Sequence, residues 1–540
     1  MSDALALSPA PAAARSARAA SAGHGRFAAI LLADLRQRTR STRFRVTIAL
    51  AALVAWYCFP PLDAGYLIVA VGDHHRGTYS SAWIGMTVAM TAMLWSLVGF
   101  YLVRGTVQRD FETRVWQLLG ATSMSRSGYL LAKWLSHVLV LCAILATTLA
   151  VGLAAQWIRA EDRHVDAWEL VKPSLFIALP MLSLAASFAI WFDLVPALRR
   201  TTGNIVFFLA WMTLLSCGAM QFDPHSPTHR RIGAPPWTSD LAGFELLKPS
   251  IDTQVAPQMP AGEALDGMCV GCGVSSSTPR RFVWTHWDVA PVLLLGRLLW
   301  LALAAGGVLL AVPLLDRLAA RGIAPPVDAA GRTRMPRRLR WLRAALAPLQ
   351  RTAFGTLAAA EAFVALRMRA WWWWAAWLAA WGVETFGSAH AAALASLGAW
   401  ALLLDTFSRA GVREREHGTA GLVLTAPGAE RRLLRARIAL LVGLAWIAAL
   451  PALTIHPMMA PVALTMGVSL ALCGLACGTV MRSSRPFELV FLLVAYMTTQ
   501  GLPWLDASTH QTGVRVAHAG LIALSLVLLR WRWGSSIRAS

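Results

Sequence analysis

The chain has 540 residues, of which 57% are apolar and 14% charged, well below the roughly one quarter charged in soluble domains. Its formal charge is +21, but the excess is spread over loops beside apolar runs, where it sets topology and attracts anionic lipid; nucleic acid is therefore not an expected partner, whereas membrane lipid is. Apolar runs of about 20 residues recur, long enough to cross about 30 Å of hydrocarbon as helix, and they lack the alternation of barrel strands, so the composition predicts an all-α polytopic membrane protein.

Residues 1–25, rich in Ala, Ser and Pro, read as a disordered cytoplasmic N-terminus, with no apolar core of a secretory signal. A first six-span half is predicted over 26–313, with spans near 46–59, 81–103, 134–157, 173–195, 203–220 and 289–313. An Arg-tipped, partly amphipathic stretch from Phe27 to Arg40 precedes them and suits the bilayer interface. The long outer loop, 221–288, contains Pro235-Pro236-Trp237 and the apolar Phe244 to Leu247, and it is expected to form a cap or re-entrant element. It also carries Cys269-Val-Gly-Cys272, a spacing that allows a disulfide in an oxidising compartment, free thiols, or half of a metal site. His225, His229 and His286 share the loop, but no spacing brings them to the thiols, so no metal is assigned.

Residues 314–355, with Pro325-Pro326, Gly331, Pro336 and clustered Arg, read as a cytoplasmic linker. A second six-span half is predicted over 356–531, introduced by a stretch like the first, Phe354 to Arg369, with spans near 371–387, 390–408, 436–456, 460–481, 487–503 and 514–531 and a cytoplasmic tail at 532–540. Twelve spans place both termini on one side. Most of the 49 Lys and Arg, including Arg36, Arg38, Arg40, Arg43, Arg45 and the run from Arg332 to Arg343, fall on that side when it is the cytoplasm of a bacterial inner membrane. Two halves of like order imply a parallel repeat about an axis along the membrane normal, with any pathway between them.

One polar segment occurs in both halves. Arg109-Asp-Phe-Glu112 and Arg413-Glu-Arg-Glu416 align without a gap, as do Leu118 with Leu422, Ser123 with Pro427 and Lys133 with Arg437. Charged residues at a cytoplasmic surface give a soluble partner register and orientation, and Gly418 could allow close backbone approach while Pro427 stops a helix. The plainer alternative is that Asp110, Glu112, Glu414 and Glu416 are solvated loop charges paired locally with Arg.

Arg413-Glu-Arg-Glu-His-Gly-Thr419, Leu422 and Thr425-Ala-Pro427, leading into basic residues up to Arg437, resemble the cytoplasmic loop of ABC-2 type transporter permeases. The match is looser in the first half, where Arg114 and Val115 replace Gly418-Thr419 and Ser123 replaces Pro427, while Ala121-Thr122-Ser123, Ser125-Arg126 and Lys133 still fit. The resemblance implies six spans per half, an elbow helix at the start of each, and a coupling helix between spans two and three that contacts an ATPase. It assigns ATPase coupling to Arg109, Asp110, Glu112, Arg126, Arg413, Glu414, Arg415, Glu416, Gly418, Thr419 and Pro427, and makes the chain the permease subunit of an ATP-driven exporter.

The chain itself carries no phosphate loop: its three lysines precede Trp134, Pro173 and Pro249, so the Gly-Lys-Ser/Thr that holds phosphate and magnesium is missing. ATP and Mg are thus expected on a separate cytoplasmic ABC ATPase, in two copies, and no cofactor on this chain. Enzyme signatures such as His-Glu-x-x-His and Gly-x-Ser-x-Gly are also missing. A twelve-span secondary transporter is the rival reading, and a permease-like sensor a third. Against the rival, Asp193, Asp288, Asp405 and Glu488 fall near span ends, and Glu384, the deepest, is still close to the outer end of its span. Trp371 to Trp374, Trp377 and Trp381 suit the inner interface or a stacking surface, and Cys473 and Cys477 suit packing as small apolar residues.

Overall fold

The computed structural model describes residues 27–61, 66–72, 75–113, 115–116, 125–199, 201–222, 240–259, 267–273, 280–321, 340–367, 369, 371–419, 428–499 and 502–538. The chain divides into two compact units, Met1–Ala324 and Pro325–Ser540, with the division inside the stretch read as a linker. It is predominantly helical. Among the described residues, seven helices are long and apolar enough to cross a membrane: Ser81–Glu112, Arg126–Arg159, Ala167–Leu194, Pro291–Arg317, Ala389–Arg409, Pro457–Met481 and Thr512–Trp533. All twelve predicted spans coincide with helix, but the remaining five are shorter or less apolar.

The first unit runs α1 (27–39), α2 (Thr42–Tyr57), α3 (Ser81–Val103), α4 (Thr106–Glu112), α5 (Arg126–Arg159), α6 (Ala167–Leu194), α7 (Thr201–Phe222), α8 (Phe244–Val255), α9 (Pro291–Leu310) and α10 (Val312–Arg321). Apolar on every side, α3 is buried along nearly its whole length, as expected of a helix surrounded by others. It packs on α5 and α6, where Gly85 leaves room for the Leu170 carbonyl, 2.5 Å from the position of an added Cβ. At Pro173, which has no N–H to donate, the ladder of α6 widens into a π-turn at Ser174–Ala178. Arg297 of α9, fully buried, donates from Nε to the Phe176 carbonyl of that turn (2.9 Å) and from Nη2 to Leu241 O (2.6 Å).

The all-helical expectation is corrected in the predicted outer loops. Strands β1 (Tyr66–Val71), β2 (His75–Gly77), β3 (Met268–Gly273) and β4 (Arg280–Phe282) form one sheet ordered β3-β1-β2-β4. β1 and β3 are antiparallel with Ala70 opposite Cys269, while β2 and β4 are parallel with His75 opposite Arg280. Ion pairs and aromatic packing hold this sheet and α8 to the helix ends. Arg76 pairs with Glu161 at 2.6 Å, Lys172 donates to Trp287 O at 2.6 Å, and Trp83 meets Phe282 and Trp284 edge-on. The loops predicted to lie outside thus gather at one end of the unit, and the inner segments at the other.

The second unit contains α11 (Arg340–Leu346), α12 (Ala353–Leu366), α13 (Trp371–Phe386), α14 (Ala389–Arg409), α15 (Arg413–Glu416), α16 (Ala429–Ala448), α17 (Leu450–Ile455), α18 (Ala460–Met481), α19 (Arg485–Thr499) and α20 (Thr512–Arg538). Small residues bring α18 against α14: a Cβ at Gly474 would stand 2.8 Å from Phe407 Cβ, and one at Gly478 2.8 Å from Ser408 O. Polar pairs join α18 to α20, with Ser469 Oγ 2.6 Å from His518 Nδ1 and Cys473 Sγ 3.3 Å from Ser525 Oγ. The Trp cluster divides by face. Trp371 is exposed, whereas Trp373 and Trp377 are buried and Trp381 donates to Ile447 O and Ala448 O at 3.1 Å.

Candidate functional site

The repeated charged segment is built into the same ion cluster in each unit. In the first, α4 begins at Gly105, whose φ of +88° interrupts the helix between α3 and α4. Asp193 at the end of α6 accepts from the N–H groups of Gly105 (2.8 Å) and Val107 (3.2 Å), fixing that start. Asp110 then points inward, where its carboxylate accepts from Tyr129 Oη and pairs with Lys133 Nζ, both at 2.8 Å. On its other side Lys133 meets Asp34 of α1 at 2.9 Å, and Asp34 also pairs with Arg38 (2.8 Å) and Arg109 (3.7 Å).

The second unit repeats the arrangement. Glu414 of α15 is buried and receives Arg437 of α16 through both guanidinium nitrogens, Nη1 to Oε2 at 2.9 Å and Nη2 to Oε1. Arg437 turns its Nε to Glu361 of α12 at 3.3 Å, and Glu361 in turn pairs with Arg413. Asp34 and Glu361, Arg109 and Arg413, Asp110 and Glu414, and Lys133 and Arg437 are therefore equivalent in role. Each cluster ties three elements together: α1, α4 and α5 in the first unit, and α12, α15 and α16 in the second.

The electrostatics agree with the geometry. Burial pushes the Glu414 carboxyl up, but hydrogen bonds and charge from Arg437 outweigh it and hold the group below the usual glutamate range. Burial likewise opposes ionisation of Asp34, yet Arg38 and Lys133 hold its carboxyl well below the ordinary value. These carboxylates are paired inside the protein.

The residues assigned to coupling accordingly separate into two sets. Asp110, Glu414 and, in part, Arg109 and Arg413 are internal members of the clusters. Glu112, Arg415 and Glu416 are exposed on the same short helices; Glu112 accepts from Gln108 Nε2 at 2.6 Å. Arg126 is also exposed and pairs with Asp316 of α10. Gly418 has φ +62°, which suits the left-handed turn after α15, and a Cβ there would meet nothing within 4 Å among the described residues. Thr419 closes that turn through its N–H to Glu414 O at 2.9 Å. Pro427 lies outside the described residues, as do Leu118, Ser123 and Leu422.

Asp34 and Glu361 were not singled out from the repeat, because they lie upstream of it at unequal distances. A signal was present: each is the one carboxylate in an otherwise apolar, Arg-tipped stretch. In the outer sheet Cys269 is exposed and disulfide-bonded; the side chain of Cys272 is outside the described residues. Cys473 and Cys477 are free thiols, partly buried, and among the described residues no group of His, Cys, Asp and Glu could hold a metal ion. No protein-family model, no curated protein and no solved structure matches the chain.

Proposed function

We propose that this chain is the transmembrane permease subunit of an ATP-binding cassette exporter of the ABC-2 type, with ATP hydrolysed by a separate cytoplasmic ATPase present in two copies. The observation that carries this reading is the repeated ion cluster, which presents one exposed charged helix per unit on a buried, ion-paired base. A partner that pushes on α4 or α15 would also move α1 and α5, or α12 and α16, because Lys133 and Arg437 bridge all three elements of each cluster. The resemblance of Arg413 to Pro427 to the permease loop supplies the partner's class, and the arginine distribution places the clusters in the cytoplasm with both termini.

The test is to co-purify the full chain with an ATPase encoded beside it after reversing Glu112 and Glu416 together to Arg. Association, or transport coupled to hydrolysis, should be lost while the melting temperature of the membrane subunit stays within a degree or two, since both side chains are exposed. Unchanged assembly and transport would remove the docking assignment. A twelve-span secondary transporter is the second reading, and one observation favours it: the fully buried carboxyl of Glu384.

A further inference from the structure

Glu384 is enclosed by α13, α14 and α17, and its side chain is fully buried. It meets two polar groups: Ser396 Oγ of α14, 3.0 Å from Oε1, and the Ala452 N–H of α17, 3.4 Å from Oε2. Asp34, Asp110, Glu161, Glu169 and Glu414 each pair with a Lys or Arg; Glu384 has no such pair among the described residues.

The titratable groups on the helices packed around it make no bond to Glu384 among the described residues. His390 is exposed at the start of α14, while Asp405 and Arg409 pair with each other toward its far end. The charges of α16 lie in its first turns, from Glu430 to Arg437, whereas Trp381 of α13 bonds its last turn at Ile447 and Ala448. His456 ends α17 and makes no bond to Glu384 among those described.

Hydrogen counting then constrains the chemistry. Ser396 has one hydroxyl hydrogen and two oxygens within reach, Ala392 O and Glu384 Oε1, each at 3.0 Å. If the hydroxyl donates to the helical carbonyl, the contact with Glu384 needs a hydrogen from the carboxyl. A neutral carboxyl satisfies the whole set: it donates to Ser396, Ser396 donates to Ala392, and Ala452 donates to Oε2. An anion would keep one hydroxyl and one long N–H in a fully buried position, where an uncompensated charge is costly.

We propose that Glu384 is a proton-binding site, holding a proton while α13, α14 and α17 are closed around it and releasing it to water when that end of the unit opens. The step is a proton transfer alone: the O–H bond of the carboxyl breaks and the proton passes to water entering the opening. The proposal does not rest on the ATP-driven reading, and its test uses neither ATPase nor transport.

The experiment is infrared spectroscopy of the full chain in lipid nanodiscs near neutral pH. The wild type should show a protonated-carboxyl C=O band that Glu384→Gln abolishes, and Ser396→Ala should shift that band in frequency. A spectrum unaltered in the C=O region by Glu384→Gln would overturn the site, and a band unmoved in Ser396→Ala would overturn the hydrogen-bond assignment. Melting provides the second readout. Wild-type stability should fall as pH rises from about 5 toward neutrality, because over that range the unfolded chain has released its glutamate proton while the closed site keeps it, and Glu384→Gln should lack that fall. Stabilisation of the wild type by sodium that is lost in Glu384→Gln would mark a cation-bound carboxylate and overturn the proton.

Discussion

Asp34 and Glu361 each bring one carboxylate to cations drawn from two other elements, and the consequences can be measured at single residues. Asp34→Asn leaves Lys133 with Asp110, and Glu361→Gln leaves Arg437 with Glu414, so each should cost about 1–3 kcal/mol. Changing Asp34 and Asp110 together to Asn strips Lys133 of both carboxylates and should cost about 3–5 kcal/mol, because a buried cation is then uncompensated. Thermal unfolding in detergent ranks the three, and equal melting temperatures would refute the internal role.

The acid response has a definite sign. Glu414 and Asp34 ionise below their ordinary ranges, so their stabilisation is complete above the unfolded-state values and disappears as pH falls through the folded ones. Melting temperature should therefore drop on acidification below about pH 4, and the drop should shrink when Glu414 is replaced by Gln.

At the scale of elements, close backbone contact decides which glycines matter. Gly474 and Gly478 of α18 lie against Phe407 and Ser408 of α14, while a Cβ at Gly443 of α16 would meet nothing within 4 Å. Gly478→Leu should destabilise by about 1–3 kcal/mol or more through overpacking, whereas Gly443→Ala should be neutral or slightly stabilising through helix propensity. Comparable losses from both would show that contact between α14 and α18 is not the cause. In α6 the residue four positions after Phe176 is Pro180, which has no N–H to offer the Phe176 carbonyl, and Arg297 of α9 supplies a donor there. Neither partner announces the other in sequence.

At the scale of the whole molecule, loops far apart in the chain are sorted to one end or the other of each unit. In the first unit, the strands 66–71, 75–77, 268–273 and 280–282 share a sheet, while Asp34, Asp110, Lys133 and Asp193 meet at the other end. If that sheet faces the outside of the cell, a membrane-impermeant thiol reagent should label Cys269 in intact cells only after reduction. Labelling without reductant would remove the disulfide, and none after reduction would reverse the orientation.

Helix position was legible because apolar runs of membrane length have one way to satisfy their backbone, and the predicted span 81–103 coincides with Ser81–Val103. The charged repeat was legible because Arg109, Asp110 and Lys133 recur at a constant offset as Arg413, Glu414 and Arg437. Tertiary structure decided the rest. It turned Asp110 and Glu414 inward and left Glu112 and Glu416 outside, enlisted Asp34 and Glu361, paired short strands from two loops, and enclosed Glu384 with no cation beside it among the described residues. Composition and periodicity act along the chain, whereas burial and charge pairing depend on which distant segments meet, and only the folded protein brings those together.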